Sequence, residues 1–280
     1  FPSTNTGNAY ALGLVKFDDN TQEMLQGSLH RWSKSLDPKL FDMDTLKLFE
    51  NQTPKDAPTG FLPLPFSNLS TFRRENWMVS LAGYNKYIPS GEYGGGSAHA
   101  RYFFNGCMWI QSKGDPAVSQ EGSGYEVEGF DYNHIPGTSA IVLGPDELKA
   151  EKSFIYGEES FSGGVHLNGQ QGVFSTIISG NPDPTFKARK SFFCFGNRII
   201  CMGTGISNEN KLETHTTLFQ VNLSQGNKSD YFDGALVDQI PFQKNKVNEQ
   251  ASVIIDSKSN GFYIYPNHRI HLERISNQTM

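Results

Sequence analysis

The side chains best suited to chemistry gather between Tyr84 and Leu143. Glu92 sits in the loop-like run Pro89-Ser-Gly-Glu-Tyr-Gly-Gly-Gly96. Glycines on both sides let the backbone take unusual dihedrals and come close to a ligand. A carboxylate held there can accept hydrogen bonds from an Arg, Tyr or His and so orient it; the plain alternative is a solvated loop glutamate. Arg101 follows soon after His99. A guanidinium can grip a carboxylate or sulfate by two parallel hydrogen bonds, or it can lie over a strand at the surface. Asp131, Asn133 and His134 fall in the dense block Gly129-Phe-Asp-Tyr-Asn-His-Ile-Pro-Gly-Thr138. Pro136-Gly137 marks a tight turn, in which Asn and Asp also bond their own backbone. By spacing alone, His99, His134, His166 and His215 fit structural roles more readily than catalytic ones. Lys187, Arg189 and Lys190 read as a solvated basic face, with an anion-facing rim as the alternative.

Several kinds of chemistry have no signature here. There is no Ser-His-Asp order and no GxSxG nucleophile elbow. Gly94-Gly-Gly96 is not followed by the GK[ST] of a phosphate loop. No CxxC metal spacing occurs, and no cofactor is implied. Cys107, Cys194 and Cys201 are too few and too scattered for a disulfide framework; Cys194 and Cys201, in apolar runs, read as buried thiols, with a bridge between them as the alternative. The formal net charge of -5 lacks the basic footprint of a nucleic-acid partner, so an anionic substrate would need a local basic patch. No run of about 18 apolar residues exists, so no segment reads as a membrane span. Phe1 in place of Met reads as a mature form or an excised piece.

These residues need a scaffold, and the pattern of the chain changes once along its length. Asn20–Leu36 places Met24, Leu25, Leu29 and Trp32 at helical spacing, with Thr21 as N-cap, and Phe41–Phe49 repeats the pattern. Thr53-Pro-Lys-Asp-Ala-Pro-Thr-Gly60 then breaks it, which divides the chain into residues 1–57 and 58–280. Beyond the break the period is two. Strands are expected at 60–66, 69–74 and 77–84, and a hairpin at 101–112 turning at Asn105-Gly106. Further strands are expected at 139–143, 164–167, 172–178, 191–195, 198–203, 214–221, 252–255, 261–265 and 268–275. Only Pro145–Lys152 reads as a helix in this half. The architecture is mainly β, a large antiparallel sandwich after a helical tail.

The motifs resemble polysaccharide lyase family 8, and within it the broad-specificity chondroitin sulfate ABC lyases. Gly129-Phe-Asp-Tyr-Asn-His-Ile-Pro-Gly-Thr-Ser is similar to the family's G-W-D-W-N-R-x-x-G-[AT]-T block, and Tyr84-Asn85 with Glu92-Tyr93 to its YN…E-x-Y segment. Phe161-Ser-Gly-Gly, Asp183–Ser191, Glu213–Gln220 and Asp256–Gly261 resemble further segments in the same order. Here Phe130 and Tyr132 replace tryptophans, His134 replaces an arginine, and Pro136 is a further local difference.

The resemblance implies the end of an (α/α) toroid followed by a galactose mutarotase-like supersandwich, incomplete in this chain. It implies β-elimination at a uronic acid of a glycosaminoglycan, chiefly chondroitin or dermatan sulfate, with hyaluronan a further candidate. It places Glu92 in the catalytic centre and Tyr84, Asn85, Arg101 and His134 near substrate. The catalytic His, Tyr and Arg belong to the toroid, so the partners implied are the anionic polysaccharide and the rest of the same enzyme, in a secreted or periplasmic setting. Metal use is left open. A carbohydrate-binding sandwich without catalysis is the rival reading.

Overall fold

The structure, a computed structural model, describes residues 58–90, 99–112, 129–223 and 229–276, and before them only Gly27, His30, Met43, Asp44 and Lys47. Those five are helical. The helices expected over 20–36 and 41–49, the toroid assignment and Glu92 otherwise lie outside the described residues. The chain divides into two compact units, Phe1–Thr59 and Gly60–Met280.

The second unit is built of antiparallel sheets. Strands β1 (Gly60–Leu64), β2 (Leu69–Arg73), β3 (Met78–Ala82) and β4 (Cys107–Gln111) form one sheet in that order. A second sheet takes β6 (Ser162–Leu167), β7 (Gln171–Ser179), β8 (Lys187–Phe195) and β9 (Arg198–Ser207), also in sequence order. The inward residues of the first sheet, Phe61, Phe72, Val79, Leu81 and Met108, pack against Phe174, Phe192 and Cys194 of the second. Alternation dictates this: each apolar residue at i and i+2 faces the same side of its strand. The sheets approach closely, because a Cβ on Gly172 would stand 2.3 Å from the Phe61 ring.

A smaller sandwich follows. The sheet β12-β11-β14-β15 contains Ala235–Val237, Asp230–Phe232, Ser252–Ile255 and Gly261–Ile264 in that spatial order. It packs on the pair β13 (Phe242–Val247) and β16 (Arg269–Arg274) through Phe232, Val237, Ile254, Ile270 and Leu272. Arg274 donates to Asp230 inside this region, with both side chains almost wholly buried. The remaining pair, β5 (Ser139–Ile141) with β10 (Thr214–Thr216), closes against a helix of one turn, α1 (Pro145–Leu148).

Three expectations are corrected here. Cys201 is not buried but exposed, because β9 is the edge strand of its sheet. Residues 101–112 are not a hairpin. Arg101–Phe104 form successive turns, with Phe103 N donating to Ala100 O and Asn105 N to Tyr102 O, both at 3.0 Å. The strand after Gly106 pairs with β3 instead. The side chains of the turn fill a separate core, in which Tyr84, Ala100, Tyr102, Phe130, Tyr132, Ile135 and Phe186 pack together. Nor is Lys190 on a solvated face. It lies on the inward row Ala188-Lys190-Phe192-Cys194 of β8, 4% exposed.

Candidate functional site

The separate core draws its side chains from turns and from strands β3, β4, β5, β7 and β8. Around it, the chain on either side of residues 91–98 is bonded to neighbouring backbone. At the entering end, Tyr84 is wholly buried and its hydroxyl donates to Ser179 O at 3.1 Å. Asn85 is also buried, and its Oδ1 accepts from Tyr87 N and Ile88 N, each at 2.8 Å. Its own N–H reaches Ile88 O at 3.0 Å. A side-chain amide closing its own turn in this way fixes the backbone without a ladder. Ser90, fully buried, then donates its N–H to Ile155 O at 2.8 Å.

At the leaving end Arg101 is 6% exposed. Its Nε donates to Leu148 O at 3.1 Å and its Nη2 to Lys149 O. The last carbonyls of α1 lack partners inside the helix, and a buried guanidinium supplies them. Asn181 donates its amide to Arg101 O at 2.9 Å. Thus Tyr84, Asn85 and Arg101, expected near substrate, are buried and bonded to backbone. Tyr102 is buried and bonds Ile141 O at 2.9 Å, while Trp109 stacks between Phe103 and Phe130 at 5.4 and 6.2 Å.

The Gly129–Thr138 block forms the opposite wall and is bonded on several sides. Gln220 reads it like a clamp: its Oε1 accepts from Asp131 N at 2.7 Å, and its amide lies 3.1 Å from both Asp131 O and His134 O. The Asn133 amide exchanges two hydrogen bonds with the backbone of Leu143, at 3.0 and 2.8 Å. Met108 N donates to Pro136 O and Gly137 N to Thr217 O, both at 2.8 Å. Gly137 has φ +83°, and a Cβ there would meet Met108 N at 2.3 Å, so no other residue fits this turn without displacement. Lys190 reaches up from β8 to donate to Gly137 O. Burial pushes its ammonium down to about 8.

Only His134 among the expected contact residues in the described part opens on free space. It lines a cavity of about 3520 Å³ together with Asp131, Glu213, His215, Gln220 and the outer residues of β9, β15 and β16. His134 Nδ1 lies 2.6 Å from Asp131 Oδ2, and its Nε2 lies 2.9 Å from His215 Nδ1. His215 Nε2 in turn lies 3.1 Å from Glu213 Oε2. Among the described residues no group of three or more His, Cys, Asp or Glu side chains could hold a metal ion. The sequence reading missed Glu213, His215 and Gln220 as site residues. Their strand was visible, but their partners lie about 80 to 90 residues away, and only the fold joins them.

Comparison with known proteins places these walls in context. The family model "Polysaccharide lyase family 8, super-sandwich domain" matches residues 66–279. A chondroitin sulfate ABC exolyase of Bacteroides thetaiotaomicron is 29% identical over 269 residues, 90% of this chain and 25% of that protein. A chondroitin sulfate ABC endolyase of Proteus vulgaris is 31% identical over 235 residues, 80% of this chain and 22% of that protein. The chain therefore spans about a quarter of the length of these relatives. Among solved structures, a mutant chondroitin AC lyase of Streptomyces coelicolor A3 superposes with a TM-score of 0.67 at 15% identity, covering 95% of this chain and 38% of that one. A Paenibacillus xanthan lyase gives 0.64 at 16% identity, covering 90% and 26%. At such identities the likeness concerns the fold.

Proposed function

Because the chain belongs to polysaccharide lyase family 8, by its super-sandwich domain, we propose that it is the sandwich part of a glycosaminoglycan lyase. The substrate class is chondroitin or dermatan sulfate, as the names of its relatives suggest, with hyaluronan a further candidate. The bond broken is the one to O4 of a uronic acid. The C5 proton of that sugar is weakly acidic because it is α to a carboxylate. Neutralising the carboxylate by hydrogen bonds or positive charge stabilises the carbanion-like transition state. A base takes the proton and an acid protonates the leaving O4, which leaves a 4,5-unsaturated uronide.

Neither the base nor the acid is assigned to residues 58–280. In this reading they belong to a helical body of the same enzyme, and the chain contributes Glu92. Its carboxylate orients the Arg and Tyr of that body and does not shuttle the proton. Orientation of this kind matters because a small misplacement of a catalytic group lowers the rate steeply. The observation that supports the proposal is the fastening of the chain on both sides of residues 91–98, by Ser90 and Asn85 before it and Arg101 after it. We assign Tyr84, Asn85 and Arg101 to positioning this segment, and His134 to the face that looks into the cavity. A long polyanion does not cross a membrane, so the enzyme works outside the cytoplasm, secreted or periplasmic.

The test is Glu92→Gln in the full-length enzyme. Turnover, followed as the ultraviolet absorbance of the unsaturated product, should fall by about 10²-fold with circular dichroism unchanged. An unchanged rate removes Glu92 from the mechanism. Residues 1–280 alone should bind oligosaccharide weakly and turn it over hardly at all. Tight binding that survives Glu92→Gln, in a full-length protein that forms no unsaturated product, would establish the rival binding module.

A further inference from the structure

The row Asp131, His134, His215, Glu213 holds two imidazoles end to end between two carboxylates. The ring centroids are 5.2 Å apart and the planes inclined by 27°. Three contacts of 2.6, 2.9 and 3.1 Å join the four groups. Ionised carboxylates only accept hydrogen bonds. His134 Nδ1 and His215 Nε2 must therefore both carry protons if the outer two bonds are made. The central bond needs one proton more, on either His134 Nε2 or His215 Nδ1. Completing the row takes three protons on four ring nitrogens, one positive charge for the pair.

Counts differ in which bond they break. With two protons the pair is neutral, and His215 Nδ1 still donates to His134 Nε2 while the lone pair of His215 Nε2 turns to Glu213, which is 81% exposed and solvated. With four protons the two inner N–H groups point at each other. We propose that the His134–His215 pair is a proton-counting latch, which adds a side-chain tie between the Gly129–Thr138 turn and β10 until the fourth proton binds. Beyond that count the cavity wall formed by the turn loosens. This holds whether or not the lyase reading does.

The surroundings are consistent with a local device. Asp131 comes from the same turn as His134, and Glu213 from the chain just before β10. Among the described residues, Lys190 from β8 also bonds the turn, at Gly137 O, and the His99 ring lies 6.2 Å from that of Tyr132. Strand β5, paired with β10, presents only Ser139, Ala140 and Ile141. From the segment after β10 the contact is made by Gln220, which is uncharged. Glu213 is 81% exposed, so changing it leaves the core undisturbed.

Hydrogen–deuterium exchange of the full-length protein, read by mass spectrometry on peptides spanning 134–138 and 214–217, tests the latch. After correction for intrinsic exchange, protection should fall about tenfold on acidification, the effect of one lost hydrogen bond, and stay level on the alkaline side. His215→Phe is the decisive variant: it removes the facing N–H, so the acid fall should vanish. Glu213→Gln leaves the central bond untouched and should keep the acid fall. A parent profile without an acid fall, or an acid fall unchanged in His215→Phe, would overturn the proposal.

Discussion

Lys190→Met should change the pH dependence of stability far more than it changes stability at neutral pH. The lysine lies on the inward face of β8, and burial pushes its ammonium from 10.5 to about 8. That difference of about 2.5 units corresponds to about 3 kcal/mol, at 1.36 kcal/mol per unit. Between pH 8 and 10.5 the unfolded chain still holds the proton and the fold has released it. Stability therefore rises with pH through this window, and is lost as pH falls back through 8. Methionine has similar length and no charge. It also abandons Gly137 O, and an unmet buried carbonyl costs about 1–3 kcal/mol. The two effects nearly offset each other at pH 7, so the slope is the informative quantity. Urea unfolding of parent and variant at matched pH values gives it. The stability of the parent minus that of the variant should grow by about 3 kcal/mol between pH 7.5 and 10.5. Cys107 and Cys194, pushed up to about 12 by burial, and Cys201, pushed up to about 11, withdraw stability as pH rises above 9; Lys190 holds Cys107 and Cys201 down, so its loss makes them withdraw more and widens the difference in the same direction. Parallel curves would show that the ammonium is not held in an apolar setting, and the reasoning would fail.

Other perturbations probe separate parts of the fold. Arg274→Ala should destabilise the smaller sandwich by about 3–5 kcal/mol, because it leaves Asp230 buried without its guanidinium; replacing the pair together by apolar residues should cost much less in the same unfolding assay. Gly137→Ala should lower stability by at least ~2 kcal/mol, because the turn needs positive φ and has no room for a Cβ. Arg101→Met should raise proteolytic cleavage between residues 90 and 100 and lower kcat of the full-length enzyme with little change in KM, while far-ultraviolet circular dichroism stays constant. An Arg101 that touched substrate directly would instead raise KM.

The strands that alternate cleanly were readable from their residues. Leu69–Arg73 and Met78–Ala82 place one apolar row inward, with Glu75-Asn76 between them as a turn, and they pair as expected. The Gly196-Asn197 turn likewise joins β8 to β9. Strands β11 to β13 escaped notice because their residues give a weak pattern: Phe-Gln-Lys-Asn-Lys-Val is polar along most of its length and pairs at the surface. The false hairpin at 101–112 has the opposite cause. Arg-Tyr-Phe-Phe has high strand propensity, but its rings are drawn into the separate core, and tertiary packing overrides local preference. At the site, the glycines and the Pro136-Gly137 turn were legible as turn chemistry. The clamp by Gln220 and the histidine row were not, because each depends on side chains brought together from distant parts of the chain.

The two roots of the 91–98 loop are fastened independently, one to the backbone at Ile155 and the other to the end of α1. Each bond can be cut by itself, so the contribution of either flank to what the segment does is separable. A library varied at 93–98, read in the parent and in a variant lacking one anchor, would tell a preference carried by the segment from one carried by the way it is held.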